Sequence, residues 1–332
     1  MPQARRVSMA QVATRAGVSN QTVSRVANDS PRVDPATRLR VEQAMAELGY
    51  RPNRAARALR TGRTQTLGLV AQTLSTVGNS RMLQAVADAA SARGYALTVV
   101  TLGDAGDIAH AFERLHDQGV DGAIVLNEAT ALAREAGSAG IRLVVVDSPP
   151  DERFTVVATD HAAGARAATE RLLAAGHRTV HHLGGPLDSF AASERERGWR
   201  AALAAAGAPA PDVVRGDWSA DAGYAQTERM LDARRTQSVD AAFTALFAAN
   251  DQMALGALRA LADAGVRVPD DIAVIGFDDV ADAAQYRPPL TTVRQDFDRL
   301  GEAAVQYLAD LIEGGEPEDL RMLPVMVSRR SG

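Results

Sequence analysis

The chain has 332 residues and a formal net charge of −5, with no cysteine and, among 36 basic residues, no lysine. The first absence excludes disulfides, a thiol nucleophile and cysteine-ligated zinc, and the second excludes a P-loop, a Schiff-base enzyme and a kinase-type phosphate lysine. No apolar run reaches the roughly 18 residues a membrane span needs. The start MPQARR has no signal-peptide core, so the expectation is a cytoplasmic protein with no membrane partner, and at about 100 to 200 residues per domain it should form two or three compact units.

Charge is unevenly spread. Residues 1 to 63 hold twelve Arg against Asp29, Asp34, Glu42 and Glu47, a surplus of +8 that leaves −13 for the remainder. A basic end on an acidic body directs encounters with phosphates through that end. Within it, Ser8 is placed to cap a helix from Met9, with Gln11 completing a capping box and Val7 stapling onto Val12. Ser19 repeats the pattern with Val18 and Val23, and Gly17 supplies a left-handed turn between the two helices.

Val12, Ala13, Ala16, Val23 and Val26 hold the pair together, which turns Asn20, Gln21, Ser24 and Arg25 outward. Asn and Gln amides pair bidentately with adenine and Arg with guanine, and this is where a helix-turn-helix reaches base edges in double-stranded DNA. Ser19, Thr22 and Asn28 belong to the same expected DNA-contacting set. A helical hairpin with a polar solvent face is the alternative these residues alone leave open.

Asp34 and Pro35 then open a third helix, in which Val41, Ala44, Met45 and Leu48 recur until Gly49 stops it. Tyr50 to Gly62 is a linker. Asn53 can cap RAARALR, but a helix of about two turns is marginal in water, and a flexible tether reads equally well.

From Leu67 short apolar runs alternate with Ala-rich helical stretches: LGLVA, ALTVV, GAIVL, RLVVV, VVAT, TVHHL, AAFTAL and IAVIGF. The alternation predicts parallel sheets covered by helices, and the strand count suits two doubly wound lobes. Ligands of such sheets sit beyond the carboxyl ends of strands. Asp147, Asn250, Asp251, Asp278 and Asp279 close such runs, and Arg195 lies beyond Gly184 and Gly185. Their planar polar groups can each grip two neighbouring hydroxyls, while Trp218 and Phe297 can wall a sugar's apolar face. Asp251, before QMALGALRAL, reads as a helix cap. His181 and His182 are adjacent in an apolar run and face opposite sides of a strand, so with His177 they read as structural and no metal is expected, nor any cofactor.

The stretch VATRAGVSNQTVSRVAN followed by VDPATRLRVEQAMAELGYRPNRAARAL resembles the headpiece of the lactose-repressor family of bacterial regulators, and GDWSA, ANDQMALGALRAL and PPLTTVRQDF extend the likeness over nearly the whole chain. The resemblance implies an all-α helix-turn-helix headpiece with a hinge helix over residues 1–62, and an α/β two-lobe periplasmic-binding-protein-like core over 63–332 for sugar binding and dimerisation. It implies that the hinge helix folds on operator DNA, Leu59 wedging the minor groove with Asn53, Arg54 and Arg57 near the backbone. It further implies that Arg195, Asn250 and Asp278 hold the hydroxyls of a sugar, with Asp147, Trp218, Gln295 and Phe297 lining the site.

Thr76, Gly78, Asn79 and Met82 depart from the more apolar wall of the family's namesake, and Ala191 stands in place of a serine. The namesake also carries a leucine-rich helix beyond the position of SRRSG that joins dimers into a tetramer, so a homodimer is expected here. The implied function is a repressor released from its operator by a galactoside or similar glycoside. A corepressor-dependent regulator, a solute-binding protein, and a glycoside-active enzyme pairing Asp278 with Asp251 are the alternatives.

Overall fold

The computed structural model of the chain describes residues 7–27, 30–50, 62–103, 106–136, 140–236 and 243–332. It divides into two units, Met1–Thr64 and Gln65–Gly332.

In the first unit, α1 (Met9–Ala16), α2 (Asn20–Ala27) and α3 (Pro35–Leu48) enclose one small core. The capping box forms: the Ser8 amide donates to Gln11 Oε1 at 2.8 Å while Ser8 Oγ accepts from the Gln11 amide. Gly17 ends α1 with φ 67°, which only glycine adopts without strain. Ser19 Oγ accepts from the Thr22 amide to start α2, and Asp34 accepts from Thr37 ahead of Pro35 to start α3. Val12, Ala13, Ala16, Val23, Val26, Val41 and Ala44 are buried together, with Val7, Val18, Met45 and Leu48 packed around them.

The second unit is two lobes of the same plan. Lobe 1 holds β1 (Thr66–Ala71), α4 (Val77–Ala92), β2 (Ala96–Thr101), α5 (Ile108–Asp117), β3 (Gly122–Leu126), α6 (Ala129–Ala136), β4 (Leu143–Val146) and β5 (Thr155–Thr159). Lobe 2 follows with α7 (His161–Ala174), β6 (His181–Gly184), α8 (Phe190–Ala205), β7 (Val214–Arg215), α9 (Ala220–Thr236), β8 (Ala245–Ala248), α10 (Asp251–Asp263), β9 (Ala273–Asp278) and β10 (Thr291–Arg294). The chain then returns to lobe 1 as α11 (Phe297–Glu313), which packs on α4 and β3 to β5, and β11 (Leu320–Met322), before β12 (Val325–Val327) closes lobe 2.

The sheet orders are β11-β5-β4-β3-β1-β2 and β12-β10-β9-β8-β6-β7. All pairings are parallel except β12 against β10. Three crossings therefore join the lobes, at Asp160, at Gln295 to Asp296 and at Leu323 to Pro324.

Alternation along each strand divides its apolar residues between two faces. Leu67, Leu69, Ile124, Val144 and Val146 bury against α4 and α11, whereas Val70, Ala123, Val125 and Val145 bury against α5 and α6. Lobe 2 repeats this, with Leu183, Leu246 and Val274 facing α9 and α10, and Phe247, Ile275 and Phe277 facing α7 and α8. Each fully buried aliphatic or Phe side chain contributes about 1.5 to 3 kcal/mol relative to exposure. The eight apolar runs read from the sequence fall on β1 to β6, β8 and β9; β7, β11 and β12 are too short to show in that pattern, and β10, TTVR, is too polar to stand out as an apolar run. No described helix is long and apolar enough to cross a membrane.

Candidate functional site

In the first unit, Asn20, Gln21 and Arg25 are exposed on α2, and Thr22 and Ser24 are partly exposed. Val23 and Val26, on the opposite face, are buried. Ser19 is committed to the cap, its hydroxyl lying 3.1 Å from the Thr22 amide and 3.0 Å from the Thr22 hydroxyl. Asn28, Asn53, Arg54, Arg57 and Leu59 lie outside the described residues.

In the second unit, the seven residues expected around a ligand all line one cavity: Asp147, Arg195, Trp218, Asn250, Asp278, Gln295 and Phe297. It opens at the carboxyl ends of the strands, between the lobes. A wider groove containing Ile141, Phe154 and Glu318 includes none of these residues.

Arg195 is the centre of the site. It sits on the second turn of α8, only 4 % exposed, so every polar atom around it must help to offset its lost hydration. Its guanidinium donates to the Ala249 carbonyl, reaches Asp278 Oδ1 at 3.4 Å, and lies 3.9 Å from the Phe277 ring centroid and 5.4 Å from that of Trp218. Burial still draws its pKa down, against the pull of Asp278 and Asp147. Gln295 Nε2 donates to the same Asp278 oxygen at 2.5 Å, and Gln295 Oε1 accepts from the Thr159 hydroxyl at 3.0 Å. Burial pushes the Asp278 carboxyl up, with Arg195 and Gln295 resisting.

His161 is the residue that sequence reasoning missed. It opens α7 directly after the first crossing, is fully buried, and accepts from Arg195 Nε at Nδ1, 3.4 Å away. A guanidinium has donors only, so Nδ1 is the acceptor in this contact. The ring's Nε2 faces the other way. That nitrogen lies 3.0 Å from Asp147 Oδ1, close but poorly aligned for a hydrogen bond. Burial alone would raise the Asp147 pKa, but His161, the Thr159 amide and Arg195 together hold it below its ordinary value. The signal was available: VVATDH is another apolar run ending in polar residues, the rule that found Asp147 and Asp278.

Two acids named from the sequence have other roles. Asp251 is not the helix cap. Asn250 is, accepting from the Met253 amide at 2.8 Å while its Nδ2 donates to the Trp218 carbonyl at 3.0 Å. Asp251 begins the helix one residue later and points inward, fully buried, accepting from the Val280 amide and the Thr292 hydroxyl. It does not line the cavity, so it cannot form an acid–base pair across a bound ligand with Asp278. Asp279 is clasped by Arg294 at 2.7 Å and Arg329 at 2.6 Å. His181 packs on Phe243, and His182 on Phe247 and Trp199, as side chains of different core layers.

Thr76, Gly78 and Met82 from lobe 1 and Ala191 from lobe 2 complete the wall, with Asn127 and Glu128 unanticipated. Asn79 is buried behind them, its Nδ2 donating to Thr73 O at 2.9 Å. Backbone strain gathers here too: Asn127, Asp147, Trp218 and Asp278 all have φ between 46° and 117°. Non-glycine residues adopt this region at a cost of about 1 to 3 kcal/mol, and such strain clusters at ligand sites. Gly185 makes one of these conformations possible, since a Cβ there would enter the Trp218 ring.

The chain can be compared with known proteins on this footing. Residues 8–53 match the model for bacterial regulatory proteins of the lacI family, and residues 169–331 match that for a periplasmic binding protein-like domain. It is 37 % identical over 329 residues to the lactose operon repressor of Escherichia coli (strain K12), covering 98 % of this chain and 90 % of that protein. The chain belongs to the lacI family. It is accordingly a DNA-binding transcriptional regulator with a helix-turn-helix headpiece and a two-lobe periplasmic-binding-like core. Among solved lacI-family structures, the lac repressor dimer bound to operator and the anti-inducer ONPF superposes with a TM-score of 0.85 at 35 % identity, covering 98 % of this chain and 99 % of that one. The complex of the transcriptional regulator CelR with cellobiose gives 0.73 at 36 % identity, covering 98 % and 100 %.

Proposed function

We propose that the protein is a repressor of sugar-utilisation genes, released from its operator when a glycoside, a galactoside or a close analogue, occupies the cavity of the core. The observation that carries this reading is the buried, bonded set of Arg195, Asp278 and Gln295, with Asn250 anchored beside it to the Trp218 carbonyl, faced by Trp218 and Phe297. Fixed carboxylate, amide and guanidinium groups beside aromatic faces suit a ligand with many hydroxyls and an apolar ring face. The lac repressor and CelR structures, which hold ONPF and cellobiose, support the same class.

In this reading residues 1–62 bind DNA and 63–332 bind sugar and dimerise. Ser19, Asn20, Gln21, Thr22, Ser24, Arg25 and Asn28 face the major groove, and Asn53, Arg54, Arg57 and Leu59 engage the minor groove and backbone. A homodimer presents two headpieces to a two-fold operator in the cytoplasm. The sugar leaves unchanged, with no turnover.

Linkage supplies the test. If sugar and operator favour opposite states, operator DNA must weaken sugar binding by the factor by which sugar weakens operator binding, about 5- to 150-fold for typical couplings. Calorimetry with galactosides, with and without operator DNA, should show that weakening. Equal affinities would overturn the mechanism, and tighter binding with DNA present would make the sugar a corepressor.

A further inference from the structure

The charged groups on the cavity wall are unequal: the carboxylates of Glu128, Asp147 and Asp278 stand against the single guanidinium of Arg195. All but one are answered within the protein. Arg195 and Asp278 lie 3.4 Å apart as an ion pair, and Asp147 accepts from the Thr159 amide at 2.9 Å with His161 Nε2 at 3.0 Å. Glu128 has no such partner. It is half-buried, and its carboxylate takes no hydrogen bond or ion pair among the described residues, while Arg195 acts on it only as a more distant charge. Arg134, which shares a groove with Glu128 on its other side, is already held by Asp151 at 3.0 Å. Glu128 directly precedes α6 but caps none of its amides, so the helix start offers it only the field of its dipole, a weak substitute for a counter-ion.

The neighbouring side chain adds a second acceptor. Asn127 Nδ2 donates to Asn79 Oδ1, and Asn79 Nδ2 in turn donates to Thr73 O at 2.9 Å, which fixes both amides and leaves the Asn127 side-chain oxygen as an acceptor. This corner of the wall thus presents a carboxylate and an amide oxygen side by side. Charge decides what it can hold. A ligand seated in the cavity strips water from the Glu128 carboxylate, and a hydroxyl returns one hydrogen bond and no charge. An ammonium returns up to three donors together with the missing positive charge, in surroundings that screen it less than water does.

We propose that the effector is a sugar bearing a free amine, its ammonium held between the Glu128 carboxylate and the Asn127 side-chain oxygen. This rests on the sugar reading of the cavity and narrows it. Arg195, Asn250 and Asp278 hold the ring hydroxyls, and Glu128 selects the cationic substituent.

The test is calorimetry on the full chain with matched probes: the methyl glycosides of galactose and glucose, their counterparts with an amine on the second or the sixth carbon, and the N-acetylated forms of those amines. Acetylation keeps the nitrogen and removes the charge. At least one amine should bind about tenfold or more tightly than both its parent glycoside and its acetylated form, the scale of hydrogen bonds to a charged group. Glu128→Gln keeps the shape of the side chain, removes its charge and should erase that preference. If no amine binds more tightly than its parent, or the preference survives Glu128→Gln, the proposal is overturned and the sugar reading stands. If no probe binds, the sugar reading itself falls and takes this inference with it.

Discussion

The two lobes share one strand order and differ in what stands at their strand ends. Lobe 2 carries Arg195, Asp251 and Asp278, all buried: Arg195 and Asp278 are joined to each other and to the Ala249 carbonyl and Gln295, and Asp251 is held separately by Thr292 and Val280. Lobe 1 faces them with two carboxylates, Asp147 and the half-buried Glu128, and otherwise a wall of small or neutral groups, Thr76, Gly78, Met82 and Asn127. A buried charge that loses its partner is strongly destabilising, so the lobe 2 residues cannot be changed one at a time. The lobe 1 wall carries no such constraint. The difference teaches that identical scaffolds can divide a task, with grip on one side and selectivity on the other.

The largest test of this division is Arg195→Ala. It leaves Asp278 buried without its cation, so the core should lose about 3 to 5 kcal/mol of stability, and sugar binding should disappear. Thermal unfolding and calorimetry read the two effects, and unchanged sugar affinity would break the assignment of grip to lobe 2.

Next in size is a pH effect confined to lobe 2. Burial lowers His181 and His182 from 6.5 to about 4. Below the unfolded value the unfolded chain binds protons that the folded chain refuses, so stability present above pH 6.5 should be lost as pH falls towards 4. At 1.36 kcal/mol per unit this amounts to roughly 3 kcal/mol for each histidine, with two protons taken up on unfolding. His182→Phe should remove one of those protons, and unfolding curves measured across this range would show it.

Asp251 works in the opposite sense. Burial raises its pKa well above 3.8, so the unfolded chain releases the proton first and stability falls as pH rises past that value. Asp251→Asn should reduce this falling component, which the raised Asp278 carboxyl shares, in the pH dependence of unfolding.

The smallest effect belongs to lobe 1. A Cβ at Gly78 would meet nothing within 4 Å, so Gly78→Val should fold normally. It should narrow the cavity and change the preference among glycosides by about tenfold, the scale of one or two methyl groups in a pocket. A variant with the parental preference would mean that selectivity is set elsewhere.

Much of this was legible in the sequence because its signals are local. The capping box at Ser8, the cap at Ser19, the turn at Gly17 and the apolar runs of β1 to β6 depend on neighbours a few residues apart. Of the seven cavity residues, Asp147, Arg195, Asn250 and Asp278 follow from the rule that ligands sit beyond strand ends, Trp218 and Phe297 from the need for an aromatic wall, and Gln295 from family resemblance alone. The return of α11 to lobe 1 was not legible, since its apolar stripe would fit a sheet of either lobe. Asp251 was misread because an acid before a helix looks the same whether it caps or turns inward, and here Asn250 had taken the cap. Gly276 settles the matter in three dimensions, since a Cβ there would strike Asp251 Oδ1.

The second crossing carries a consequence for how the molecule is made. α11 covers one face of the first lobe and β11 forms its edge, yet both are encoded after nearly all of the second lobe. As the chain leaves the ribosome, β1 to β5 emerge early and wait, with the face of Leu67, Leu69, Val144 and Val146 covered by α4 alone until Leu300, Val305 and Leu308 arrive to complete it. The headpiece has every residue of its core within the first 50 positions and can complete itself at once. The regulator is therefore born reading end first, with its control module the slow and chaperone-exposed part of its synthesis.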